Sequence, residues 1–567
     1  MSTVACGESR RPAVIGHTLF DYADELAVVV PSTCRRTGRC HECIVEVQSG
    51  SDILSAPTEA EGFLKGDFRL ACQAKVDHSG ADIVFAPLRR RPQILATYES
   101  DNKVTARDSA VIRDGDRVLM DGEIIDSYHG HILGMAIDLG TTTIVIDLVN
   151  LESGETWVRS AFENPQRFGG SDIMSRISYD SGKARGELQR SVINAVNSEI
   201  MALGERLSFR RREIYEIVIA GNSTMRDLFF GLDVQSIGQK PYKSLVEHDF
   251  RAGKRAHTAL SVPAKQLGIF ANKNTRAYGL PLLASHVGGD VAADLLALDL
   301  LEAAPEPRML IDIGTNTEVV VAVGGRLICA SCPAGPAFEG GGVEFGMPGY
   351  EGAIERISID EHGQAVTYHT IGGGRPRGIC GSGLVDLLAG LRRCDVLGLK
   401  GTFDRLPRGQ KLYVVPDHGI TLSRQDVSHL AQAKAANYCG QLIVLRTCRL
   451  DPCDIGTLFV SGGFANYLNL DHAIEIGFLA PVPRDRIKKA GNAALRGAKL
   501  ALLSVTARLR LEALAAGIEH IELETTPDFF EIFVEGCQFK PMLERIASTD
   551  DRAATRSRMK GTADASL

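Results

Sequence analysis

The segment Ile137-Asp138-Leu139-Gly140-Thr141-Thr142-Thr143 returns later in the chain as Ile311-Asp312-Ile313-Gly314-Thr315-Asn316-Thr317. A β-branched run follows each copy, Ile144-Val145-Ile146 after the first and Val319-Val320-Val321 after the second. The pattern predicts strand, tight turn and strand at both places. Glycine lets the backbone approach a ligand closely, the threonines supply hydroxyls and amides, and each copy carries one aspartate. Two such hairpins facing each other would grip a polyphosphate and its Mg²⁺ from both sides. One Asp-x-Gly-Thr also makes an ordinary hairpin turn; a near-identical duplication at long separation is far more constraining.

A chain of 567 residues exceeds what one hydrophobic core serves, so several domains are expected. With 44% hydrophobic and 23% charged residues its composition is that of an ordinary globular protein. The net charge of −7 and pI near 6.1 argue against a nucleic-acid partner. No apolar run is long enough to span a bilayer, and Met1 to Val14 is polar with no apolar signal core after it. No membrane association and a cytoplasmic location are therefore expected. Thirteen cysteines in so long a chain do not suggest a secreted disulfide framework; clustered ones suggest metal.

Four of those cysteines are organised. Cys34, Cys40 and Cys43 form Cys-x5-Cys-x2-Cys, and Cys72 follows inside Arg69-Leu70-Ala71-Cys72-Gln73. Three thiolates in one loop plus one remote thiolate is the ligand arrangement of a [2Fe–2S] ferredoxin, although the plant-type spacing has four residues in the first gap. Leu26 to Val30, Ile44 to Val47 and Ile83 to Phe85 read as the strands of a small β-rich fold around it. A structural Cys₄ zinc site competes, but zinc ribbons pair two Cys-x2-Cys knuckles and only one, Cys40-x2-Cys43, lies in this part of the chain. Cys329-x2-Cys332 reads as a pair of core thiols, and His41 as a polar loop residue.

Arg89-Arg90-Arg91-Pro92 marks a charged, proline-stopped boundary, which ends a ferredoxin-like domain at 1–92. A connector follows at 93–133, with Asp-Gly turns at 114–115 and 121–122. The hairpins then open a large α/β core at 134–545, and the last residues, 546–567, read as a disordered tail. Leu188, Val192, Val196, Ile200 and Leu203 recur at helical spacing and mark a core-facing helix. Leu458 to Ser461 followed by Gly462-Gly463-Phe464 reads as a buried strand ending where backbone can pass close to a flat ring, which suits an adenine pocket. Neither a Walker A motif nor Gly-x-Gly-x-x-Gly occurs, which removes the P-loop and Rossmann families.

The order phosphate hairpin, phosphate hairpin, Ser461-Gly462-Gly463-Phe464 resembles the superfamily of acetate and sugar kinases, Hsc70 and actin (ASKHA). With a four-cysteine ferredoxin module ahead of it, the chain resembles the ATP-dependent reductive activators of corrinoid proteins. Ala220 to Met225, His286 to Asp290 and Gly491 to Leu495 also look like segments of that family. Where the chain has Arg35 and Arg36, such proteins carry glycines. The resemblance implies an actin-like core of two RNase H-like lobes behind a β-grasp ferredoxin domain. It implies a [2Fe–2S] cluster on Cys34, Cys40, Cys43 and Cys72, and ATP with Mg²⁺ in the core. Asp138 and Asp312 would be the acidic residues of the phosphate loops, one holding Mg²⁺ through water and the other orienting the attacking water. Gly140, Thr141, Thr142, Thr143, Gly314, Thr315, Asn316 and Thr317 would meet the phosphates, and Gly462, Gly463 and Phe464 the adenosine.

The activity so implied returns a corrinoid from Co(II) to Co(I) for methyl transfer. A plant-type cluster near about −400 mV is short of that potential, and a gap of about 0.1 V for one electron is worth about 2.3 kcal/mol. ATP can cover the gap only if nucleotide state is coupled to conformation or to cobalt coordination. The implied partners are a corrinoid-binding methyl carrier or cobalamin-dependent methyltransferase, and an upstream electron donor (reductase, ferredoxin or flavodoxin), with a homodimer also compatible. Arg35 and Arg36 would favour the reduced cluster or steer an acidic partner, or would simply be solvated. Three other functions compete. A small-molecule kinase leaves the cluster unexplained; a redox-gated ATPase sensor delivers no electrons; and a radical-type activator, like those of 2-hydroxyacyl-CoA dehydratases, uses a [4Fe–4S] cluster shared between subunits.

Overall fold

The computed structural model describes residues 2–88, 108–403, 406–407, 409–463 and 465–546. The expected boundary at Arg89–Pro92, much of the connector at 93–107, the tail beyond 546 and Phe464 lie outside the described residues.

The first domain is a mixed sheet in the order Ser9–Pro12, Thr3–Cys6, Ile83–Pro87, Ile44–Ser49, Phe68–Leu70, with the first and last long strands of the domain, Thr3–Cys6 and Ile83–Pro87, side by side and parallel. The helix Leu19–Glu25 crosses it, started by a capping box between Thr18 and Asp21. This is a β-grasp. The strands at Ile44 and Ile83 form as expected, but Leu26 to Val30 is not one. Leu26 caps the helix, Ala27 turns with φ of 55°, and Val29 is exposed, so a β-branched run is spent on leaving the helix. Local propensity yields there to the path the chain must take to the cysteine loop.

Next comes a three-stranded meander, Val111–Asp114, Arg117–Met120 and Glu123–Ser127. Its turns fall at the expected Asp-Gly pairs, with Gly115 and Gly122 at positive φ.

Two lobes of the same topology follow. In the first, the sheet order is Thr156–Glu163, Thr143–Asn150, Leu133–Leu139, Ile214–Ala220, Arg276–Gly279, with Leu260–Pro263 added at the edge. In the second it is Arg326–Cys332, Thr317–Val323, Arg308–Ile313, Thr457–Ser461, Ile487–Gly491, with Ile518–His520 added at the other edge. In each, an antiparallel meander continues into parallel strands on the far side of the first strand, the RNase H-like arrangement. The apolar stripe from Leu188 to Leu203 is the buried face of the helix Glu187–Leu207. No described helix is long and apolar enough to cross a membrane.

The lobes meet along two helices, Gly289–Ala297 of the first and Ala493–Leu503 of the second. They cross so closely that a Cβ on Gly497 would lie 1.9 Å from the Ala293 carbonyl oxygen, so only glycine fits there. Cys329 and Cys332 are both fully buried on the strand Arg326–Cys332. Three residues apart on a strand, they face opposite sides of the sheet and enter different cores, so they cannot share a metal.

Candidate functional site

Both hairpins open into one cleft between the lobes. The first joins Leu133–Leu139 to Thr143–Asn150 through Gly140 to Thr142, and the second joins Arg308–Ile313 to Thr317–Val323 through Gly314 to Asn316. Asp138, Gly140, Thr141, Thr142, Thr143, Asp312, Gly314, Thr315, Asn316, Gly462 and Gly463 all line the cleft. Thr317 does not. The second hairpin closes its register one residue tighter, Ile313 against Thr317 rather than Leu139 against Ile144, so Thr317 is buried and Glu318 turns to the cleft.

Supporting side chains hold each hairpin. Asn164 Nδ2 donates to the Gly140 carbonyl at 2.8 Å, and Asn222 Nδ2 to Thr141 Oγ1 at 3.1 Å. Arg176, 1% exposed, donates through Nη2 to the Thr141 carbonyl at 2.7 Å and through Nε to Gly170. Burial pulls the Arg176 guanidinium down to about 10, so it stays cationic at neutral pH behind the phosphate turn. Gly462 lies against the second hairpin with φ of 112°; a Cβ there would sit 2.0 Å from the Ile313 carbonyl oxygen.

The floor of the cleft is acidic. Asp138, Asp290 and Asp312 open onto it, with Glu318 beside them and Asp294 one helical turn beyond Asp290. Desolvation pushes Asp138 up to about 7 against the hydrogen bond from Asn492 Nδ2 at 2.6 Å, with Asp312 adding to the rise. Desolvation likewise raises Asp290 to about 7 and Asp312 to about 6, and holds Asp294 and Glu318 well above the usual carboxylate range. Carboxylates gathered in this way, with no lysine or arginine among the described residues that line the cleft, form a donor set suited to a hard divalent cation such as Mg²⁺. Sequence reasoning missed Asp294, Glu318 and Arg176, and singled out the segments holding Asp290, Asn222 and Asn492 without giving those residues a site role. The signal available was Gly288-Gly289-Asp290: the amide of Gly289 bonds the Gly221 carbonyl at 2.9 Å, an approach that requires glycines and carries Asp290 to the cleft.

The second site is the cysteine loop. The Cys43 and Cys72 sulfurs are buried 3.4 Å apart, and Cys34 and Cys40 lie nearer the surface. Arg35, Arg36, Gly38 and His41 all take positive φ, which winds the loop tightly enough to turn its thiols inward. Desolvation raises the Cys34 thiol, but hydrogen bonds from Thr37, Cys40 and the Arg39 backbone outweigh it and bring it to about 5. A hydrogen bond from Cys43 lowers Cys72 to about 6, and Gln73 Nε2 adds another at 3.3 Å. Cys43, as the donor, is pushed up. Four thiols brought together in this way, with Cys34 and Cys72 lowered and backbone amides turned onto their sulfurs, fit a [2Fe–2S] cluster. Arg36 pairs at the surface with Asp21 and Asp24 and lies 4.0 Å over the Phe20 ring; Arg35 and Arg36 are both exposed.

The two sites are mechanically joined. Phe63, beside the cysteine loop, stacks on His41 at 4.2 Å and meets Phe168 edge-on at 6.0 Å. His41 Nδ1 lies 2.9 Å from Glu187 Oε2, Arg167 pairs with Glu46 at 3.0 Å, and the Tyr179 hydroxyl donates to the Phe63 carbonyl. Tyr179 closes the same short helix, Ile173–Tyr179, that carries Arg176 to the first phosphate turn.

Comparison with known proteins finds an iron-sulfur domain and an ASKHA domain in the corresponding parts of the chain. Residues 5–77 match the 2Fe-2S iron-sulfur cluster binding domain, 133–303 the RACo middle region, and 306–548 the C-terminal domain of RACo, the ASKHA domain. The chain belongs to the RACo family. This RACo-family chain is 27% identical over 581 residues to the corrinoid activation enzyme RamQ of Eubacterium limosum, covering 92% of this chain and 95% of that protein. It is 24% identical over 433 residues to the [Co(II) methylated amine-specific corrinoid protein] reductase of Methanosarcina barkeri, covering 71% and 76%. A solved reductive activator for a corrinoid, iron-sulfur protein superposes with a TM-score of 0.69 at 28% identity, covering 95% of this chain and 99% of that one.

Proposed function

We propose that this protein is an ATP-dependent reductive activator that passes one electron to a Co(II) corrinoid protein and restores Co(I) for methyl transfer. The observation that carries the reading is the helix Ile173–Tyr179, which touches the phosphate hairpin at one end and the cluster domain at the other. A kinase has no use for that link, and its phosphate acceptor would need a pocket of its own.

The ferredoxin-like part (1–92) holds the cluster through Cys34, Cys40, Cys43 and Cys72, and when bound the cluster supplies one-electron chemistry. The half-exposed side of the loop, at Cys34 and Cys40, is where an electron leaves or arrives over the shortest path. The core (134–545) binds ATP. Asp138 and Asp312 hold Mg²⁺, directly or through its bound water, at the cleft floor, while Thr141, Thr142, Thr143, Thr315 and Asn316 with Gly140 and Gly314 bond the phosphates. Gly462 and Gly463 leave room for the adenosine. Arg176 senses phosphate charge through the Thr141 turn and transmits a shift of that turn to the docked cluster domain. An upstream reductase, ferredoxin or flavodoxin, a cytoplasmic setting and assembly as a homodimer are the remaining parts of the proposal.

The test mixes the reduced protein, MgATP and a Co(II) carrier protein and follows the visible spectrum of the cobalt. Loss of the Co(II) band should require nucleotide, an intact cluster and a reductant together. Equal reduction without nucleotide, or turnover of a small phosphate acceptor, would overturn the reading.

A further inference from the structure

The tips of the two phosphate hairpins are joined by a side chain that belongs to neither. Glu339 Oε2 accepts from Thr142 Oγ1 at 2.6 Å and from Thr315 Oγ1 at 2.7 Å, and those hydroxyls are 3.4 Å apart. Two donors from opposite lobes that converge on one anionic oxygen mark where the terminal phosphate of a bound polyphosphate ends. Glu339 stands at that end.

Its position is built, not incidental. Glu339 closes the short turn Ala337–Glu339, in which Ala337 and Phe338 are both 6% exposed and Phe338 packs against Phe478 at 4.9 Å. The amides of Glu339 and Gly341 both bond the Pro336 carbonyl, at 2.9 and 2.8 Å. Gly340 then reverses the chain at φ of 96°, with the Met347 amide nitrogen 2.6 Å from where a Cβ would be. A carboxylate carried on so packed a turn is aimed at the hairpin tips. The other acids of the cleft lie lower. Asp138 is held by Asn492 and Asp312 by Ser461 at the strand ends, and Asp290 lies on its own helix, where they suit a cation.

We propose that Glu339 is the general base of ATP hydrolysis, the group that orients the attacking water and takes its proton. The water oxygen bonds to the terminal phosphorus as the bond from that phosphorus to the bridging oxygen breaks. ADP leaves with the bond's electron pair, and the proton held by Glu339 passes to the phosphate product. This rests on the ATPase reading above.

The experiment compares the full-length wild type with E339Q and E339D in single-turnover MgATP hydrolysis and in equilibrium binding of a fluorescent ATP analogue. Visible cluster absorbance reports folding. Glutamine keeps an oxygen that can accept from both threonines but cannot take a proton, so it separates chemistry from clamping. E339Q should lose about 100-fold or more in rate, the usual worth of a general base, with nucleotide affinity within about threefold of wild type. E339D, a shorter base, should fall between the two. Wild-type turnover in E339Q, or affinity and turnover lost in parallel, would overturn the assignment while leaving the ATPase reading intact. Absence of hydrolysis by the wild type would overturn the ATPase reading and this proposal with it.

Discussion

Truncating Phe168 to alanine should uncouple the two sites without destroying either. The ring is 4% exposed and is wedged edge-on between Phe63 of the cluster domain, at 6.0 Å, and Tyr179 of its own lobe, at 5.5 Å. Deleting a buried phenylalanine costs about 3–5 kcal/mol in transfer and cavity terms together. Phe63 is the ring that lies across the domain boundary, so roughly half of that loss, about 1.5–2.5 kcal/mol, falls on docking. That is roughly a ten- to sixtyfold shift from docked toward undocked cluster domain. The ligand cysteines and the cleft are untouched by the change. Cluster absorbance and basal ATP hydrolysis should therefore stay near wild type, while ATP-dependent reduction of the corrinoid falls and amide exchange rises in the segments around Phe63 and Tyr179. Wild-type rates of ATP-dependent reduction, with unchanged exchange at those segments, would refute the idea that nucleotide state reaches the cluster through this contact.

Serine at Cys34, Cys40, Cys43 or Cys72 should lower iron content toward zero while ATP hydrolysis persists; loss of iron in Cys329→Ser or Cys332→Ser instead would reassign the ligands. Asp138→Ala and Asp312→Ala should each lose at least about 100-fold in ATP turnover with cluster absorbance retained, because each removes a donor from the cation site; turnover kept in both would sink the two-hairpin reading. The raised Asp138 and Asp312 keep their protons in the folded state up to about 7 and 6, whereas the unfolded chain has lost them. Their contribution to stability is therefore lost as pH rises from the ordinary carboxylate range through those values, so the metal-free protein should melt lower at pH 8 than at pH 5.5. Added Mg²⁺ should raise the melting temperature more at pH 8 than at pH 5.5, and an equal shift at both would mean the cation does not bind these groups. Tyr179→Phe leaves the Phe63 carbonyl without its donor and should weaken docking by about 1–3 kcal/mol, read as faster amide exchange in the cluster domain.

Much of the chemistry was legible along the chain because it is carried by local geometry. A turn that must approach phosphate needs Gly140 or Gly314 where it occurs, and thiolates that share a cluster need Cys34, Cys40 and Cys43 within one loop. Periodicity likewise sufficed for the helix under Leu188 to Leu203 and for the strands at Ile44 and Ile83. Tertiary structure decided which residues stand across from these. Glu339 and Arg176 are brought to the phosphate turns by the fold, and neither spacing nor composition distinguishes them from other polar residues. The register of the second hairpin, with Ile313 against Thr317, withdrew Thr317 and presented Glu318 although the two hairpin sequences are nearly the same. Arg36 read as a charge beside the cluster until the fold set it against Asp21, Asp24 and Phe20. The division has one physical cause: backbone conformation is set by a few neighbouring residues, whereas the field and contacts at a site are summed over everything the fold brings within reach.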